Sequence, residues 1–193
     1  MHNLTKGEAS AEAKAAVGAR GIARRLLFTL GFAGLIAIGA HVKLGVPGTP
    51  VPITLQTLFV LLAGALLGPV EGTAAVGAYL VLGAAGVPVF AKAGGATGFP
   101  YFAGATGGYL VGFLAAAVFL GAAVRRFEGR WAQLVLFLAG SQMILVVGTL
   151  WLAMAIVAPL EKAIYMGFAP FVIGDVAKAV LGWAAYRWAR RLV

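Results

Sequence analysis

Residues 53–87 read ITLQTLFVLLAGALLGPVEGTAAVGAYLVLGAAGV, two apolar runs (53–69 and 71–87) that meet at Gly68-Pro69-Val70-Glu71-Gly72. Glu71 is the lone charge in the stretch. Each run approaches the roughly 20 apolar residues that a bilayer span needs. A turn this short between them makes a tight helical hairpin. That hairpin decides the fold class, an all-α membrane protein whose helices are solvated by lipid.

Working outward, further apolar runs lie at about 24–42, 106–124, 131–158 and 168–187. With the hairpin they predict six transmembrane helices. The fifth run is the longest and can tilt or extend beyond the bilayer. Composition agrees: of 193 residues, 62% are hydrophobic and 11% charged, with a mean hydropathy of +0.97, whereas a soluble domain carries about a quarter charged residues. The expected organisation is a basic cytoplasmic N-terminal extension, 1–23, followed by a six-helix transmembrane domain, 24–193. The extension is Ala-rich and polar, with no isolated apolar core of a signal peptide. Its segment EASAEAKAAVGARGIARR (8–25) fits either a basic interfacial helix or a disordered tail.

The net charge of +9 is dispersed along the flanks of the apolar runs. This pattern suits topology signals and contact with the lipid bilayer's anionic headgroups, not nucleic acid. Lys6, Lys14, Arg20, Arg24 and Arg25 precede the first span, Arg125, Arg126 and Arg130 separate the fourth from the fifth, and Arg187, Arg190 and Arg191 follow the sixth. Only Lys43, Lys92 and Lys162 fall on the other side, eleven against three. The positive-inside rule therefore puts both termini in the cytoplasm, which requires an even number of spans.

Polar groups within a membrane face protein or water, so they mark candidate sites. The last span, PFVIGDVAKAVLG (170–182), holds Asp175 and Lys178 on one face at i,i+3. At about 1.5 Å per residue they lie roughly 7 and 12 Å inward from Pro170. Each charge costs on the order of 3 kcal/mol at a span centre, a cost that mutual pairing lowers and a polar ligand lowers further. An ion pair that merely staples two helices is the competing reading. At the same depth come Thr54, Gln56 and Thr57 of PVPITLQTL (50–58) and Tyr109 of ATGGYLVGF (105–113). The long outer loop 86–108 carries Lys92 with Phe90, Phe99, Tyr101 and Phe102. Loops of that length are often lids or binding loops, although aromatics also form interfacial belts. Together these groups predict one pocket open to the outside.

Catalytic machinery is missing from the sequence. There is no GxxxxGK[ST], HExxH or GxSxG and no pair of intramembrane carboxylates, cysteine is absent, and His2 and His41 are the only histidines. No enzyme activity, cofactor or metal is expected. Ala33 and Ala37 of the first span, and the pairs Gly64/Gly68 and Gly108/Gly112, let helices approach closely, within the chain or at a partner.

Three segments occur together: PVPITLQTL with LLAGALLGP, YLVLGAAGVPVFA with GATGGYLVGF, and PFVIGDVAKAVL. Over about residues 27–186 they resemble the biotin transporter family BioY, the substrate-binding S component of energy-coupling factor transporters. The resemblance implies a six-helix S-component fold in a bacterial or archaeal cell membrane that binds biotin from outside. It also implies a membrane-embedded coupling subunit and two cytoplasmic ATPases as partners, with self-association into a homo-oligomer left open. By resemblance, Asp175 and Lys178 hold the polar end of biotin, Tyr109 and Gln56 flank it, and Ala33/Ala37 match an alanine-rich docking motif. Lys92 is the expected partner of the valerate carboxylate, while an asparagine of this loop in some relatives has no counterpart here, Asn3 being the chain's only one. The rival reading is an autonomous secondary transporter of biotin or another small organic anion, with Asp175 and Lys178 as a proton-linked pair.

Overall fold

The computed structural model describes residues 2–91 and 98–192, with side chains from residue 18 onward in the first helix. The helices are α1 His2–His41, α2 Gln56–Leu67, α3 Pro69–Ala84, α4 Gly107–Ala123, α5 Arg130–Ala155, α6 Leu160–Gly167 and α7 Val172–Ala189. Two-residue strands β1 Lys43–Leu44 and β2 Ile53–Thr54 pair antiparallel between α1 and α2, and a 3₁₀ turn covers Phe99–Ala103.

Large apolar side chains cover the outside of this bundle, among them Leu27 at 70% exposure, Val81, Val111, Leu150 and Ile173. Water would penalise such a surface, and lipid does not. The helices Gly18–His41 and Arg130–Ala155 are each long and apolar enough to cross a membrane, and α6 with α7 passes the same test as a pair bent by 52°. The chain is a helical membrane protein.

Three boundaries differ from those read in the sequence. The helix of the first span does not start near residue 24 but runs unbroken from His2, about 60 Å at 1.5 Å per residue. Alanine-rich sequence propagates helix readily, so the border of the basic extension is one of composition. The second span begins at Gln56, because Ile53 and Thr54 are drawn into the pairing Lys43↔Thr54 and Leu44↔Ile53. The helix of the sixth run, expected over 168–187, starts only at Val172 as α7, and residues 160–167 before it, outside every expected span, form α6. Gly167 ends α6 and Pro170 lies in the break before α7, where the residue preceding a proline is pushed out of helical geometry.

Helix α2 runs through the middle of the molecule, touching α1, α3, α4, α5 and α7, and none of its residues is exposed. Close packing needs small residues here. A Cβ on Gly64 would come within 2.7 Å of the Ala117 carbonyl oxygen of α4. At the turn into α3, Gly68 takes φ +92°, where a side chain is strained, and the Arg125 guanidinium lies against it. Gly112 faces Ile144 and Gly108 faces Trp151, both on α5, so the glycine pairs flagged in the sequence serve packing within the chain.

At 12 residues, α2 covers only about 18 Å of a hydrocarbon layer roughly 30 Å thick. Its C-terminal end meets the arginine-rich end of the bundle, where Arg25 lies 3.7 Å from Glu71 and Arg125 donates to the Leu66 carbonyl at 3.4 Å. Arg187, bonded to Gln133, sits at that end as well. Past its N-terminal end, the space a longer helix would fill is left to the β1–β2 hairpin and a cavity.

Gly64→Ala is expected to lower stability by about 1–3 kcal/mol through overpacking against α4. Gly77→Ala, where a Cβ meets nothing within 4 Å, is expected to be neutral or stabilising by up to about 1 kcal/mol. Thermal unfolding in detergent checks both, and equal effects would remove the close-packing account.

Candidate functional site

Four helices and the hairpin converge on the cavity beyond the N-terminus of α2. Gln56 and Thr57 of α2, Tyr109, Leu110 and Phe113 of α4, and Ile144 and Leu145 of α5 form its wall. Phe171, Asp175 and Lys178 enter from α7, Val51, Pro52 and Thr54 from the hairpin side, and Ala91, Tyr101 and Thr106 complete the mouth. The space is narrow, about 50 Å³, room for a few waters and far below the 300–1,000 Å³ common for ligand pockets.

Asp175 and Lys178 are 3% and 7% exposed and form an ion pair. The break at 168–171, just before α7, leaves Asp175 in the first turn of that helix, where the helix dipole favours a carboxylate. Ser141 of α5 donates to the Asp175 backbone carbonyl at 3.3 Å and ties the two helices. Lys178 Nζ also donates to the Thr54 carbonyl at 3.0 Å. An ammonium has three donors, so one remains for a ligand. Among the described residues Lys178 is the only partner of the Asp175 carboxylate, which keeps acceptor capacity of its own. The cavity thus offers a strong acceptor beside a strong donor inside an apolar wall. That combination complements a small group carrying both N–H and C=O through charge-assisted hydrogen bonds.

The other expected residues divide. Tyr109 lines the cavity, but its hydroxyl is engaged with the Gly167 carbonyl at 2.7 Å, leaving its ring for contact. Gln56 is buried, donates to the Tyr79 hydroxyl at 2.6 Å, and accepts from Thr54 Oγ1 at 3.1 Å. Its amide is thereby fixed as part of the wall. Lys92 lies outside the described residues. Of the loop aromatics, Phe90 stacks on Tyr101 with centroids 4.5 Å apart and meets Tyr79 edge-on. Tyr101 reaches the cavity, whereas Phe99 is 76% exposed. Ala33 is covered by the chain's own helices and Ala37 is half-buried, while Gly31, Gly34 and Ile38 face outward from α1.

Several wall residues escaped the sequence reading. Phe113 is one helical turn from Tyr109 and could have been found by i,i+4 spacing. Ile144, Leu145 and Phe171 carry no polar marker that separates a cavity wall from a lipid-facing surface. Among the described residues no group of His, Asp and Glu is disposed to hold a metal ion.

Known proteins share both the sequence and this architecture. Residues 7–193 match the BioY family. The biotin transporter BioY of Thermotoga maritima is 41% identical over 150 residues, covering 78% of this chain and 86% of that protein. A probable biotin transporter BioY of Pyrococcus horikoshii is 37% identical, covering 77% and 85% respectively. The crystal structure of the S-component for biotin from an ECF-type ABC transporter matches with a TM-score of 0.80 at 29% identity, over 89% of this chain and 93% of that one. On the whole-chain match and these relatives, the chain belongs to the BioY family.

Proposed function

We propose that the chain is the biotin-capturing S component of an energy-coupling factor transporter, binding and translocating the vitamin without chemical change. The observation that carries this reading is the buried Asp175–Lys178 pair facing the cavity beside α2, in a chain of the BioY family. The ureido ring of biotin has two N–H donors and one carbonyl. Asp175 would accept from the former and Lys178 donate to the latter, with Tyr109, Phe113 and the hairpin flanking the rings. Gln56 would act as fixed wall. The present width of the cavity requires the ligand to push its walls apart.

In the cell membrane of a bacterium or archaeon, the bundle would cross the bilayer six times, with α6 and α7 as one broken span. The arginine end would face the cytoplasm with both termini, and the cavity would open outward. Segment 1–23 would be a cytoplasmic extension to the transmembrane domain 24–193. A membrane coupling subunit and two ATPases would supply the energy. Docking through α1 belongs to the same reading, with Ala37 reachable and Ala33 covered.

Purified protein is expected to bind biotin but not thiamin or riboflavin in equilibrium measurements. Asp175→Asn and Lys178→Met should each weaken biotin binding at least about tenfold, since removing one partner leaves the other charged and buried. Unchanged affinity in both folded variants would take the pair out of the site. The chain has no cysteine, so single introduced thiols report topology cleanly. Gly45→Cys should react with an impermeant maleimide in intact cells, and Arg190→Cys only after the membrane is permeabilised; the reverse pattern would invert the orientation.

A further inference from the structure

Beside the inner cavity lies a second, wider space of about 460 Å³, lined by Lys43 and the turn between β1 and β2. Val51, Pro52 and Ala91 line both spaces, so the outer one is a vestibule to the inner. Lys43 Nζ sits at their junction, donating to the Ala91 carbonyl at 2.8 Å. Among the described residues it has no carboxylate partner. One donor is therefore occupied and two are free.

Charge balance makes this position matter. Asp175 and Lys178 neutralise one another, so the inner site supplies no net charge to an anionic ligand. The hairpin couples the two places: Lys43 pairs in register with Thr54, and the Thr54 carbonyl accepts from Lys178. One strand of the short hairpin thus carries the Lys43 ammonium at the mouth, and the other accepts from the Lys178 ammonium of α7 at the floor.

We propose that Lys43 is the anion anchor of this site, taking the carboxylate at the end of the ligand's flexible chain while the Asp175–Lys178 pair holds the opposite, neutral end. This rests on the biotin reading above and names a residue for the end of the ligand that the pair leaves without a counter-charge. The ammonium would exchange the Ala91 carbonyl for the ligand carboxylate, or bind both, and so register ligand length from floor to mouth.

The test compares biotin with biotinamide, in which the carboxylate is replaced by a neutral carboxamide, on the purified full chain at neutral pH. Wild type is expected to bind biotin more tightly. Lys43→Met should weaken biotin about tenfold, the scale of one charge-assisted hydrogen bond, and leave biotinamide within about twofold. Lys43→Glu should weaken biotin further, again with little effect on the amide. Equal losses for both ligands, no loss for either, or a biotin preference abolished by Lys92→Met but retained in Lys43→Met would each overturn the anchor. A wild type that binds neither compound overturns the biotin reading itself and the anchor with it, a result distinct from any of these.

Discussion

One ion pair buried in a membrane helix governs the organisation of this protein. Asp175 and Lys178 bear a desolvation cost that their attraction offsets only with good geometry and further hydrogen bonds. The molecule supplies both conditions. The break before α7 gives Asp175 the favourable end of a helix dipole, and β2 turns the Thr54 carbonyl toward Lys178. A hairpin of two-residue strands would be marginal by itself. Here it is held at one side by Lys178 and at another by the bond of Lys43 to Ala91.

The second organising element is the shortness of α2. A central helix of full length would fill the bundle from end to end, and the cavity would vanish. Because α2 stops at Gln56, the polar first turn of the central helix faces an interior space, and the surrounding helices need not unwind to make one. Small residues at Gly64 and Gly112 then let α4 approach α2 and α5 closely, so the wall is tightly packed on that side. The hairpin side, with exposed Lys43 and Gly45, is the more open one.

Much of this was readable in the sequence, and the reasons are specific. Asp175 and Lys178 stand out because charges in an apolar run have few explanations other than function or pairing. Arginine placement distinguishes the two ends of the bundle in the sequence alone, and in the structure Arg25, Arg125 and Arg187 gather at one end. The hairpin escaped notice because two residues per strand leave no periodicity. Helix α6 lay outside every expected span, because Glu161 and Lys162 interrupt the apolar pattern there. Gln56 was legible as an interior polar group, although not that Tyr79, 23 positions away, occupies its amide. Lys43 was weighed only as a topology charge, since nothing local ties it to Ala91.

The narrowness of the inner cavity has a consequence for selectivity. On the function proposed above, a compound that enters would first have to separate the hairpin from the helices, and every candidate would meet that cost. Only a molecule that satisfied both the acceptor and the donor on α7 would gain enough to hold the walls open. Close mimics lacking one of these groups would lose the contact and still meet the penalty for entry. On the function proposed above, such tightness would act as a threshold, admitting a scarce solute while abundant, loosely fitting ones are turned away.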